Sequence, residues 1–131
     1  MFGLKKKTDY GLELMIALAK NYKKGPMSLQ KIAKDRKLPY KFLGQMAFEF
    51  RQYGLIEAKE GSGGGYFLAV SPAKISIAKI LEILEGPVEL GSCFGCPKVQ
   101  SCGQKDIWSE VGDQVRKALK GKMLADLIKS K

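Results

Sequence analysis

The feature that most constrains the fold is a change of hydrophobic period partway along the chain. Up to residue 54 apolar side chains recur at helical spacing. Two short β-prone runs follow, Leu55–Lys59 and Tyr66–Val70, joined by Glu60-Gly61-Ser62-Gly63-Gly64-Gly65. Glycines in the link permit positive φ, so the pair predicts a single hairpin. A lone two-stranded hairpin is marginal in water and has to be carried by helices.

The helical stripes supply the carriers. Thr8 is expected to cap a first helix running to about Asn21, in which Leu12, Met15, Ala19 and Tyr22 form a stripe widened by Leu14 and Leu18. Ser28 caps a short second helix, with Leu29, Ile32 and Ala33 inward and Lys31, Lys34 and Arg36 outward. Pro39 opens a third helix over 40–53 that buries Leu43, Met46, Ala47 and Phe50 and stops at Gly54. Beyond the hairpin, Ile77, Ile80, Leu81 and Leu84 mark a further helix ended by Gly86-Pro87. From Asp106 an amphipathic helix runs through Trp108, Val111, Val115 and Leu119, and Gly121 breaks it before a last short helix around 123–128.

Helix, short helix, turn, helix and Gly-rich hairpin is the order of a winged helix-turn-helix, so the fold class is mostly α with a small β-hairpin wing. The chain divides into that module at 1–86, a cysteine-bearing loop at 87–104, and a long helix with its short successor at 105–131. In such a fold the helix over 40–53 enters the major groove, and its outward stripe is Lys41, Gln45, Phe48 and Gln52. Lys can donate to guanine and Gln can bond adenine bidentately, while Gly44 keeps the surface low. Lys31, Lys34, Arg36 and Lys37, with Lys59 in the wing, are phosphate partners, and Gly64 of the wing is a further candidate DNA contact. Phe48 either touches a thymine methyl or packs at a contact between domains or subunits.

Charge weighs the same way. Of a net +10, residues 1–60 carry 13 Lys/Arg against 6 Asp/Glu, or +7, leaving +3 for the remainder. A basic excess set on a turn and wing in correct order favours double-stranded DNA over an ordinary solvated face. Asp9 and Glu13 interrupt the stretch after Lys5-Lys6-Lys7, so it does not read as a secretory signal. No apolar run reaches the ~18–20 residues of a bilayer span. A cytoplasmic location without a membrane partner is expected.

The loop reads Cys93-Phe94-Gly95-Cys96, then five residues to Cys102, in a chain with three cysteines and no histidine. The missing imidazole excludes Ser-His and Cys-His catalysis and His-ligated zinc, and nothing here points to an enzyme. Soft thiolates in a reducing compartment select zinc or an iron–sulfur centre, and three leave the site one ligand short. Free thiols and a reversible Cys93–Cys96 disulfide are the alternatives.

At these residues the chain resembles the Rrf-two group of bacterial winged-helix regulators, the IscR/NsrR type, over nearly its whole length. The resemblance rests on Thr8-Asp9-Tyr10-Gly11-Leu12, the segment Ser28–Ala33, Phe42-Leu43-Gly44-Gln45 and Gly54-Leu55-Ile56. The wing Gly63-Gly64-Gly65-Tyr66, the cysteine loop, Ile107-Trp108 and the segment Met123–Leu127 complete it. It implies a homodimer built on the long C-terminal helix, here about 105–120. It also implies an iron–sulfur cluster held by Cys93, Cys96 and Cys102.

The fourth ligand implied in one branch is a His, and here that position is Lys105. In the other branch it is an N-terminal Asp from the partner subunit, which Asp9 matches, with Thr8 as the second candidate donor. As an alternative, Asp9 complements the helix dipole. Asp9 favours a 4Fe–4S over a 2Fe–2S cluster, although two residues between the first cysteines are fewer than in the best-known branches. Where the family's wing carries a minor-groove Arg, this chain has Glu60 beside Lys59, near Gly64. Gly44 stands where some relatives carry an acidic residue that tunes sequence preference.

The expected function is a DNA-binding transcription regulator whose operator affinity follows a cluster that senses redox, nitric oxide or iron status. The alternatives are a zinc-stabilised winged-helix regulator, and a small iron–sulfur redox adaptor that does not read DNA.

Overall fold

A computed structural model describes residues 6–86 and 105–129. The chain order is α1 (Lys6–Lys20), α2 (Leu29–Arg36), α3 (Tyr40–Gln52), β1 (Ile56–Lys59), β2 (Gly65–Leu68), a 3-10 turn over Pro72–Lys74, α4 (Ile77–Glu85), α5 (Lys105–Gly121) and α6 (Leu124–Lys129). The expected loop over 87–104, with Cys93, Cys96 and Cys102, lies outside the described residues.

Local chemistry accounts for most boundaries. The Ser28 hydroxyl accepts from the Lys31 amide at 3.1 Å and starts α2, and Lys37 ends it in the left-handed region at φ 56°. Ser76 starts α4 in the same way, accepting from the Lys79 amide. Pro39 is the N-cap of α3 rather than its first helical residue. Beyond α3, Gly54 takes φ 78°, and the backbone turns into the hairpin.

Thr8 does not cap α1. It lies inside the helix, fully buried. The α1 face is also displaced from the expected stripe: Leu14, Met15 and Leu18 form its centre, and Leu12 is only half-buried. The cause is that α1 is covered from more than one side, packing against α3, α4, α6 and β2. A helix wrapped in this way buries more than one stripe.

Strands β1 and β2 pair antiparallel, with Ile56 opposite Leu68 and Lys59 opposite Gly65. Met27, in the α1–α2 connection, adds a third, one-residue edge: its amide donates to the Tyr66 carbonyl at 2.8 Å, and the Tyr66 amide donates back at 2.7 Å. That bridge anchors the base of the wing to the helix-turn-helix.

One core joins α1 through α4, both strands and α6. Leu14 and Leu18 of α1, Ile32 of α2, Leu43, Met46 and Phe50 of α3, Ile56 of β1, Ile80 of α4 and Leu124 of α6 belong to the same buried cluster. The last helix is held by backbone as well, since the Ile77 amide donates to the Lys122 carbonyl and the Leu124 amide to the Ile75 carbonyl, each at 2.8 Å. No helix among the described residues is long and apolar enough to cross a membrane.

Candidate nucleic-acid interface

Burying Leu43, Met46, Ala47 and Phe50 fixes the rotation of α3 and turns the opposite face outward. Lys41, Gln45, Phe48 and Gln52 are all exposed there, Phe48 at 61%. With Gly44 and Glu49 they line a shallow, open depression along the helix. A Cβ added at Gly44 would meet nothing within 4 Å, so the glycine lowers the surface without relieving any contact inside the protein.

The basic residues of the preceding helix divide. Lys31 and Lys34 are exposed. Arg36, expected to face outward toward phosphate, instead donates through its guanidinium to the Glu13 carboxylate of α1 at 2.6 Å. It fastens α2 to α1 and is not among the free cations of this face. Lys59 is exposed at the end of β1.

Gly64 and Gly65 are required by close approach. A Cβ at Gly64 would lie 2.2 Å from the Lys59 carbonyl oxygen, and one at Gly65, where φ is 149°, would lie 2.3 Å from that of Met27. No side chain fits at either position. Gly64 thus shapes the wing through backbone that only glycine allows.

Of the residues expected to sense, the two candidate fourth ligands, Thr8 and Asp9, lie in the first turn of α1. The buried Thr8 hydroxyl donates a hydrogen bond to the carboxylate of Glu85, the last residue of α4. Gly86 follows at φ 85° and leads into the cysteine segment. Asp9 is exposed beside this contact, in the first turn of α1. Gly11 permits the approach: a Cβ there would lie 2.5 Å from Leu84 and 3.2 Å from the Met46 sulfur. The N-terminal half of α1 is therefore seated against the middle of α3 and the end of α4.

Sequence reasoning missed Glu49 and Lys7. The Lys7 ammonium donates to Glu49 Oε1 at 3.2 Å, linking the first turn of α1 to α3. Glu49 follows Lys41 and Gln45 at the i, i+4, i+8 spacing of one helical ridge, a signal present in the sequence. The Met27 bridge had no comparable signal.

The profile of a known family, Rrf2, described as an iron-dependent transcriptional regulator, matches residues 4–130. The transcriptional regulator CymR of Bacillus subtilis is 34% identical over 121 residues, covering 92% of this chain and 86% of CymR. The solved structure of CymR, the global cysteine regulator of B. subtilis, superposes with a TM-score of 0.88 at 31% identity, covering 100% of this chain and 99% of the other. T. potens IscR superposes with a TM-score of 0.82 at 29% identity, covering 98% and 88%.

Proposed function

Because the chain belongs to the Rrf2 family of transcriptional regulators, we propose that it acts as a cytoplasmic homodimer that reads a double-stranded DNA operator and adjusts its grip through an iron–sulfur cluster on the cysteine loop. Its role is regulatory and not enzymatic. That sets aside the electron carrier that leaves DNA unread.

The observation that carries the DNA reading is the outward face of α3. Lys41, Gln45 and Gln52 stand exposed along an open depression, with the wing fastened beside them through Met27. Hydrogen-bonding side chains on a helix that can enter the major groove discriminate base edges. Lys31, Lys34 and Lys59 add contacts to phosphate, which orient the protein without reading sequence.

The homodimer is supported by α5. Gly112 is buried and Trp108, Val115 and Leu119 are half-buried, whereas Ile107, Val111, Gln114 and Ala118 are exposed. The exposed set repeats at i, i+4, i+7, i+11, the spacing of a two-helix seam. A second copy of α5 covers such a stripe.

The donor set fits a cluster. Cys93, Cys96 and Cys102 supply three soft ligands within ten residues. The Thr8–Glu85 bond holds the first turn of α1 at the root of that segment. It occupies the Thr8 hydroxyl and leaves Asp9 exposed, which supports Asp9 as the fourth ligand and Thr8 as second choice. When bound, the cluster supplies a group that reacts to redox state, nitric oxide and iron supply. A 4Fe–4S form goes with Asp9 ligation, and 2Fe–2S is the other form.

Likeness to a global cysteine regulator favours a second reading, in which cysteine status is the signal. One preparation separates them. Anaerobically purified protein is expected to absorb in the visible and to contain iron and acid-labile sulfide. Colourless protein with zinc would indicate the zinc-stabilised regulator, and metal-free protein would favour the cysteine reading. Asp9→Ala should lose cluster, whereas Thr8→Ser, which keeps the hydroxyl, should retain it. Promoter retention at raised salt tests DNA reading separately.

A further inference from the structure

We propose that Glu49 is a base-discriminating residue of α3, accepting a hydrogen bond from the exocyclic amino group of a cytosine in the major groove. The inference rests on the DNA reading above. A carboxylate on a surface meant for a polyanion is out of place unless it has a task, because phosphate repels it. Two features of its surroundings supply one.

The first is how the carboxylate is held. Lys7 bonds only Oε1, at 3.2 Å. Oε2 is shielded from solvent and has no hydrogen-bond partner among the described residues. A shielded acceptor without a donor costs free energy, and a donor that arrives with a ligand recovers it. Lys7 also supplies a compensating charge, which lowers the repulsion that phosphates would otherwise exert.

The second is position. Lys41, Gln45 and Glu49 form one ridge, spaced about 6 Å per step along the helix axis. Glu49 lines the same open depression as Gln45 and Gln52, beside the gap left by Gly44. Its side chain is about one-third exposed, so rotation about its own torsions brings Oε2 to the rim of that depression. Among major-groove edges, only cytosine N4 and adenine N6 offer amino donors. Adenine sets its N7 acceptor beside N6, where it repels a carboxylate, so cytosine is the edge a carboxylate accepts from best.

The test selects binding sequences from duplexes with a randomised core about two helical turns long, using the purified full-length protein and its Glu49→Gln and Glu49→Ala variants. Wild type is expected to require cytosine at one position of each half-site. Glu49→Ala should relax that position alone, by roughly 5- to 150-fold in relative affinity. Glu49→Gln, which keeps the shape and the Lys7 contact, should shift it toward adenine. Melting temperatures of both variants report that the fold is kept.

If both variants select the same sequences as wild type, with every duplex merely bound more tightly, Glu49 is an electrostatic brake and the inference fails while the DNA reading stands. If wild type itself selects no sequence, the reading beneath falls and takes the inference with it.

Discussion

Helices α3 and α5 are built on the same plan and end with opposite surfaces. Each turns one face to the protein: α3 buries Leu43, Met46, Ala47 and Phe50, and α5 turns Gly112, Val115 and Leu119 inward, packing against α4. Outward, α3 offers Lys41, Gln45 and Gln52, whereas α5 offers Ile107 and Val111, with Ile107 59% exposed. Hydrogen-bonding side chains lose little when left in water. An apolar stripe left in water forfeits burial free energy of ~25 cal/mol per Å². The inward faces specify the fold, and on the function proposed above the outward faces specify partners: a polar ladder for base edges, an apolar seam for a second helix.

The largest expected effect tests the seam. Replacing Ile107 by Asp removes an apolar contact worth roughly 1.5–3 kcal/mol, counted twice by two-fold symmetry. Sedimentation should then show monomer at concentrations where wild type is dimeric, and far-UV circular dichroism should be unchanged. A monomer that unfolds at the same time would mean that α5 belongs to the fold rather than to a partner.

Next in size is the inward face of α3. Phe50→Ala should cost about 3–5 kcal/mol in urea unfolding, because Phe50 is fully buried. Phe48→Ala, two residues away, should stay within about 0.5 kcal/mol and change only DNA binding. Comparable losses from both would erase the division between the two faces.

That division was legible in sequence wherever one helix faces one core. The i, i+3, i+4, i+7 set of α3 identified its buried residues, and Ser28 and Gly54 marked true boundaries. It was illegible where elements remote in sequence meet. Thr8 looks like a cap because nothing local indicates that Glu85, 77 residues on, closes over its hydroxyl. Arg36 looks like a phosphate contact because its partner, Glu13, is on another helix. The Met27 edge arises from a backbone pairing that carries no residue preference.

The same holds at the interface. The exposed ridge of α3 follows from periodicity, but the Lys7–Glu49 pair that edits its charge depends on how α1 crosses α3. Gly64 reads as a DNA contact from its place in the wing, yet the physical demand there is the Lys59 carbonyl 2.2 Å from where a Cβ would stand.

Smaller effects divide the polar face itself. Gln45→Ala should relax base preference at one position by about 1–3 kcal/mol, measured as the ratio of affinities for the preferred and substituted duplexes. Affinity for unrelated DNA should hardly change.

The smallest expected effect is at Lys34, exposed on α2 and without an ion pair among those between described residues. If its ammonium meets only phosphate, Lys34→Ala weakens binding to every duplex by the same factor and lowers the slope of log affinity against log salt by about one. Arg36→Ala offers the internal contrast, because that guanidinium is already committed to Glu13. Its loss should loosen the α1–α2 contact and lower thermal stability, with the salt slope unchanged. A slope that falls with Arg36→Ala and not with Lys34→Ala would reverse the two roles. The cation that faces DNA would then be the one now fastened to α1, and α2 would have to turn on α1 when DNA binds.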